Sequence, residues 1–97
     1  MKRDDILAIL SRHRAELQAQ FGITSLGLFG SAARHEAHAA SDVDVLVDFP
    51  GAPSFDQYMG LKLRLEDLLA PRVDLVTSRG LRPQLRPVIE REAIRLA

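Results

Sequence analysis

The chain has 97 residues, 46% of them apolar, which predicts a single domain over residues 1–97, too short to include a second, substrate-binding domain. Thirteen basic and thirteen acidic residues cancel, so the chain lacks the net positive charge typical of proteins that bind phosphate backbones, and we expect no direct nucleic-acid binding. The absence of cysteine excludes disulfides, thiolate metal sites and thiol catalysis. No apolar run approaches the roughly 20 residues of a membrane span, and we expect a cytoplasmic protein without membrane contact.

The first third of the chain predicts a helix, a strand and a turn. Apolar residues recur at helical spacing from residue 3 to about residue 20, and Gly22 follows where a helix commonly stops. Residues 24–29 form a short apolar segment that leads into Gly-Ser, which is typical of a buried strand that ends in a turn. The alanine-rich residues 32–37 predict a short helix.

The second third predicts a strand followed by a long helix. Residues 42–49 alternate acids with valine and phenylalanine, a period of two that indicates one buried and one polar face. After a loop at 50–53, Ser54 and Gln57 form a capping-box pattern. The predicted helix beyond them has an apolar face formed by Phe55, Tyr58, Leu61, Leu65, Leu68 and Leu69.

The last third predicts a third strand and a final helix. Pro71 closes the preceding helix, and residues 72–77 form a short strand in which Asp74 stands between two apolar residues. Two prolines in the tail favour a turn over 81–85 and a helix from about Arg86.

Three aspartates are candidate metal ligands. Asp42 and Asp44 are two residues apart on a predicted strand, which places their Cα atoms roughly 6.5 Å apart on one face. Both carboxylates can reach one Mg²⁺ at an oxygen distance of about 2.1 Å. Asp48 lies about 13 Å beyond Asp44, too far to share the ion, whereas Asp74 on a neighbouring strand about 4.8 Å away can complete the site.

A structural explanation of the same acids stays open. Asp42 could cap a turn with Ser41, and Asp44 and Asp48 could form the solvated face of an edge strand. The acid at position 74 argues for the metal site, because a carboxylate in a short apolar strand is costly to bury unless it is paired or bound to a metal.

Gly30 and Ser31 predict a phosphate-binding turn. Gly30 follows a strand and precedes a helix, where glycine lets a ligand approach the main chain. Ser31 offers a hydroxyl and an amide at the start of that helix, which suits the β- and γ-phosphates of a nucleotide. Arg34, one turn later, could contact a phosphate or pair with an acid that shapes the loop.

Histidines near the acids leave a second possibility. His35 and His38 have a spacing of three that would suit a transition metal, but we expect exposed loop histidines instead, because no further histidine or cysteine is near. His13 on the first helix is predicted to lie at the surface.

A phosphate turn joined to acids that hold a divalent cation indicates nucleotidyl transfer, which requires a clamped triphosphate and neutralised charge on the leaving pyrophosphate. The same residues resemble the minimal nucleotidyltransferases, or MNT domains, of the polymerase-β-like superfamily. The resemblance consists of Gly30-Ser31, ten residues, Asp42-x-Asp44, Arg34 between them and the later Val73-Asp74-Leu75-Val76-Thr77. His35 departs from the pattern, since relatives often have glycine there.

The resemblance implies an α/β (α+β) domain with a small mixed β-sheet flanked by helices, the polymerase-β-like nucleotidyltransferase fold. It also implies an antitoxin of a HEPN toxin, which transfers AMP from ATP, with Mg²⁺, onto a tyrosine hydroxyl of that toxin. Asp42 and Asp44 would bind the metal, and Asp74 would complete the site and help to deprotonate the hydroxyl. Gly30 and Ser31 would hold the triphosphate.

Two other functions remain compatible with the sequence. The domain could neutralise a toxin by stoichiometric binding, because its terminal helices carry more apolar residues than one small core obviously needs. It could instead transfer nucleotides to small molecules, as aminoglycoside nucleotidyltransferases do, although the missing second domain counts against this.

Overall fold

The computed structural model describes residues 2–30, 43–69 and 72–96. They form, in chain order, α1 (Arg3–Phe21), β1 (Ser25–Phe29), β2 (Val43–Asp48), α2 (Phe55–Leu68), β3 (Val73–Thr77), α3 (Arg86–Glu92) and β4 (Ile94–Arg95), with a 3₁₀ turn at Ser78–Gly80. The predicted short helix at 32–37 lies outside the described residues.

The four strands form one mixed sheet in the order β3-β2-β1-β4. β1 pairs antiparallel with both β2 and β4, whereas β2 and β3 are parallel. The chain crosses from β2 to β3 through α2, as a parallel pair requires. The predicted α+β fold with a small mixed sheet is therefore confirmed.

One face of the sheet packs on the helices α1 and α2. Alternation along β2 turns Val43, Val45 and Val47 to this side, where all three are buried. They pack with buried residues of the two helices, namely Ile6, Leu10, Leu17, Leu61 and Leu65. We call the other side the acid face; it comprises Ser25, Gly27, Phe29, Asp44, Leu46, Asp48, Asp74 and Val76, which the strand register places together.

Local signals at the helix ends were predicted correctly. α1 ends at Gly22, whose φ of 71° allows its N–H to donate to the Gln18 carbonyl. Ser54 and Gln57 form both hydrogen bonds of the capping box at the start of α2. The Gln57 amide also donates to the Phe21 carbonyl at 2.6 Å, which ties the start of α2 to the end of α1.

α1 and α2 are also linked at their surfaces. Arg64 donates to Glu16 at 3.0 Å, and His13 contacts the same carboxylate at 2.9 Å through Nδ1. The hydrogen bond with His13 and the neighbouring Arg64 lower the pKa of the Glu16 carboxyl. His13 therefore takes part in a surface pair, as expected of a surface residue.

Side chains from α2 cover the outer edge of β3. The Tyr58 hydroxyl donates to the Leu75 carbonyl, and the Val73 N–H donates to the Glu66 carboxylate at 3.3 Å. An edge strand whose backbone groups are occupied in this way is protected from pairing with another chain. The same contacts fix the position of β3, and with it Asp74.

The sequence-based description was wrong or incomplete at three places. Phe55 was assigned to the apolar face of α2, but 77% of its surface is exposed, because it occupies the first turn beyond the edge of the core. The 3₁₀ turn and β4 were not predicted. α3 begins at Arg86 as predicted, although none of its residues is buried.

Within 2–30, 43–69 and 72–96, no helix combines the length and apolar character needed to cross a bilayer.

Candidate active site

Asp44 and Asp74 stand directly opposite each other on neighbouring parallel strands. Paired residues of adjacent strands project from the same face, and the strands lie about 4.8 Å apart. Asp74 is exposed and Asp44 is partly buried, so neither carboxylate is enclosed in the core. The expectation that Asp74 would come opposite the acids of the second strand is confirmed for Asp44.

The apolar neighbours of the two acids hold them on the acid face. Val43 and Val45 flank Asp44, and Val73 and Leu75 flank Asp74, and all four are at most 5% exposed on the helical side. Turning either acid inward would require moving two buried residues into solvent. The alternation in the sequence thus fixes the direction of both carboxylates.

Gly30 lies against the Asp44 carboxylate at the end of β1. Its φ of 73° falls in the left-handed region, which favours glycine. A Cβ atom at this position would be 2.1 Å from Oδ2 of Asp44, so no side chain fits there without displacing the carboxylate. Gly30 was predicted as part of a phosphate turn; its contact with Asp44 was not predicted.

The remaining predicted site residues, Ser31, Arg34 and Asp42, lie outside the described residues, as do His35 and His38. Their roles stay predictions. Within the part of the chain that the structure describes, no group of three histidine or acidic side chains could hold a metal ion. The Asp44 and Asp74 carboxylates nevertheless supply two of the hard oxygen donors that Mg²⁺ prefers.

A second polar cluster on the acid face was missed. The buried hydroxyls of Ser25 and Ser78 donate to Oδ2 of Asp48 at 2.9 and 3.1 Å. The sequence had excluded Asp48 from the metal site and had offered it otherwise only as part of the solvated face of an edge strand. The available signal was Ser25, which is a polar residue in an apolar strand. It lies two residues from Gly27 and therefore on the same face of the sheet.

Comparison with known proteins decides the family. A family model described as a nucleotidyltransferase domain matches residues 10–96. The chain is a member of this nucleotidyltransferase family. Among similar members, the protein adenylyltransferase MntA of Thermococcus cleftensis is 42% identical over 91 residues, covering 94% of this chain and 92% of the relative.

Solved structures of similar proteins confirm the nucleotidyltransferase fold. One assigned as a minimal nucleotidyltransferase has a TM-score of 0.83 and 41% identity, and the match covers 97% of this chain and 95% of that one. A toxin–antitoxin crystal structure with AMP-PNP has a TM-score of 0.74 at 22% identity, covering 90% and 72% of the two chains. The second likeness shows the fold alone. Both place this family member in the predicted fold class.

Proposed function

We propose that this nucleotidyltransferase is the antitoxin of a toxin–antitoxin pair and transfers AMP from ATP, with Mg²⁺, onto its toxin. The observation that carries the proposal is the register of Asp44 opposite Asp74 beside Gly30. Two carboxylates at this spacing can share a divalent ion, and the adjacent Gly30 leaves the room that the Asp44 carboxylate occupies.

The residues divide the work of transfer between them. Asp44 and Asp74, with Asp42, would hold the metal, which when bound neutralises charge on the triphosphate as pyrophosphate leaves. Gly30 and Ser31 would hold the β- and γ-phosphates, with Arg34 nearby. Asp74 is the exposed member of the described pair, so its carboxylate is the one within reach of an incoming hydroxyl and can accept its proton.

The similar proteins support a nucleotide donor and a protein acceptor. The relative from Thermococcus cleftensis is named a protein adenylyltransferase, and a similar fold occurs in a toxin–antitoxin structure with AMP-PNP. We propose by resemblance that the toxin is of the HEPN class, that the acceptor is a tyrosine hydroxyl, and that the reaction takes place in the cytoplasm.

Mass spectrometry of the toxin tests this function. The toxin encoded beside this chain is incubated with the chain, Mg²⁺ and each of the four nucleoside triphosphates. We expect a mass step of one AMP with ATP, placed on a tyrosine by fragmentation. An unmodified toxin with every triphosphate would refute protein nucleotidylation, and a step on another residue type would refute the tyrosine assignment.

Stoichiometric binding is the second candidate, and the surface of α3 favours it. Leu85 and Val88, at the start of this helix and three residues apart, are 49% and 47% exposed. α3 has no buried residue, and the exposed side chains of Leu85, which immediately precedes the helix, and of Val88 within it suit contact with another protein. Inhibition of the toxin without nucleotide, abolished by Leu85→Glu, would favour binding over catalysis; inhibition that requires ATP would exclude it.

A further inference from the structure

A cavity of about 120 Å³ lies on the acid face, away from the Asp44–Asp74 pair. Gly27, Leu46 and Asp48 line it from the sheet, and Glu90 and Arg95 line it from α3 and β4. Arg86 of α3 donates to the Ser78 carbonyl at 2.8 Å, which fixes α3 beside this part of the sheet. The cavity is therefore built from four segments distant in sequence.

Asp48 is held in one orientation inside this cavity. Both hydrogen bonds from Ser25 and Ser78 go to Oδ2. Across the described residues, no donor is directed at Oδ1. A carboxylate oxygen has two lone pairs, so Oδ1 remains an acceptor for a ligand in the cavity.

The cavity lies along β2 from the candidate metal ligands. Asp48 follows Asp44 by four residues on the same face, which is about 13 Å at 3.3 Å per residue. Gly27 and Leu46, which pair midway between them, also line the cavity, and the Ile94 carbonyl and the Ala93 side chain bound the space above Gly27, so the cavity reaches the midpoint between Asp44 and Asp48. A nucleotide whose phosphates lie at Asp44 can extend along β2 and bring the edge of its base to Asp48.

We propose that this cavity receives the nucleobase of the triphosphate substrate and that Oδ1 of Asp48 accepts a hydrogen bond from an exocyclic amino group. The inference rests on the proposed function, because it assumes that the phosphates lie beside Asp44. Adenine, cytosine and guanine carry such an amino group. Uracil has no amino group. Its N3–H lies between two carbonyl oxygens, and a carboxylate repels those oxygens. Asp48 thus selects against UTP.

The Asp48→Asn variant reverses the chemistry of this contact with little change in shape. Its amide oxygen can still accept from both serines, while its NH₂ group replaces the acceptor Oδ1 with a donor. Asp67→Asn is the matched control, because Asp67 is exposed on α2, on the opposite side of the sheet. Both variants remove one negative charge.

The experiment measures equilibrium binding of ATP, GTP, CTP, UTP and inorganic tripolyphosphate, each with Mg²⁺. We expect the unaltered chain and Asp67→Asn to bind at least one amino-bearing triphosphate roughly ten- to a hundredfold more tightly than UTP, the range for one charge-assisted hydrogen bond. Asp48→Asn should lose that preference and keep its affinity for tripolyphosphate. A preference that survives Asp48→Asn overturns the proposal.

A measurement on the unaltered chain covers the case in which Asp48→Asn does not fold. The amide resonances of Gly27 and Ser78 should shift with the preferred nucleotide and not with tripolyphosphate. Equal affinity for all four nucleotides, or no shift, overturns the base site. If the rate of transfer to the toxin does not depend on the base of the nucleotide, the base site alone is overturned. If no triphosphate binds to the chain, the proposed function is overturned as well.

Discussion

At the scale of single residues, the site depends on the absence of a side chain as much as on the two acids. Gly30 and Gly22 both adopt a positive φ, at 73° and 71°. They differ in their surroundings: a Cβ on Gly30 would overlap the Asp44 carboxylate, whereas a Cβ on Gly22 would come no closer than 3.6 Å to Gln57. Substituting Gly22 therefore tests backbone strain alone, whereas substituting Gly30 tests backbone strain together with displacement of the Asp44 carboxylate.

We expect Gly30→Ala to cost roughly 1 kcal/mol of stability and to lower transfer at least tenfold, because the new methyl group must push Asp44 aside. Gly22→Ala should cost similar stability and leave transfer unchanged. The measurements are thermal unfolding and the initial rate of nucleotide transfer. Equal loss of transfer in both variants would contradict a specific role for Gly30.

The face of the sheet on which Asp44 and Asp74 lie could be predicted from the sequence, because apolar and acidic residues alternate along both strands. Val43, Val45, Val73 and Leu75 identify the buried side of each strand without any knowledge of the fold. The contact of Gly30 with Asp44 and the bonds from Ser25 and Ser78 to Asp48 could not be predicted. They join residues 14 to 30 positions apart, and such contacts depend on the strand register, which local patterns do not contain.

At the scale of elements, α2 positions the strand that carries Asp74. Tyr58, the single tyrosine of the chain, donates its hydroxyl to the Leu75 carbonyl next to Asp74. The capping box of α2 was readable from Ser54 and Gln57, since both partners lie within one turn. β4 was not, because two residues are too short for a periodic pattern.

Tyr58→Phe should destabilise the fold by about 1 kcal/mol, the usual net value of one hydrogen bond, because the Leu75 carbonyl loses its donor. Glu66→Gln is the matched control, since the amide keeps an oxygen that can accept from Val73 N–H. Urea denaturation of the two variants measures the effect. An unchanged midpoint for Tyr58→Phe, or an equal loss for Glu66→Gln, would contradict the role of these contacts in holding β3.

At the scale of the whole molecule, one small core supports the site. The helices α1 and α2 bury the core face of the sheet, and the acid face carries the candidate metal ligands and the cavity. A domain of this size is stable by only about 5–15 kcal/mol, so the loss of one well-packed side chain is a large fraction of the total.

Leu65→Ala should remove roughly 2–5 kcal/mol, because Leu65 is fully buried and its loss leaves a void. The melting temperature should fall by roughly 10 °C or more, given about 4–8 °C for each kcal/mol in a domain of this length. Leu63→Ala, two residues away on the exposed side of α2, should stay within about 0.5 kcal/mol. Similar melting temperatures for the two variants would contradict the described core.

The shared role of Asp44 and Asp74 is tested most directly by the rate of nucleotide transfer to the toxin in Asp44→Asn, Asp74→Asn, the double variant and the control Asp67→Asn. Residues that act through one ion lose their function together. We predict at least a roughly hundredfold loss in each single variant. The double variant should be no slower than the slower single, and the control should be unaffected. Retained transfer in either single variant, or losses that multiply in the double variant, would contradict a common ion.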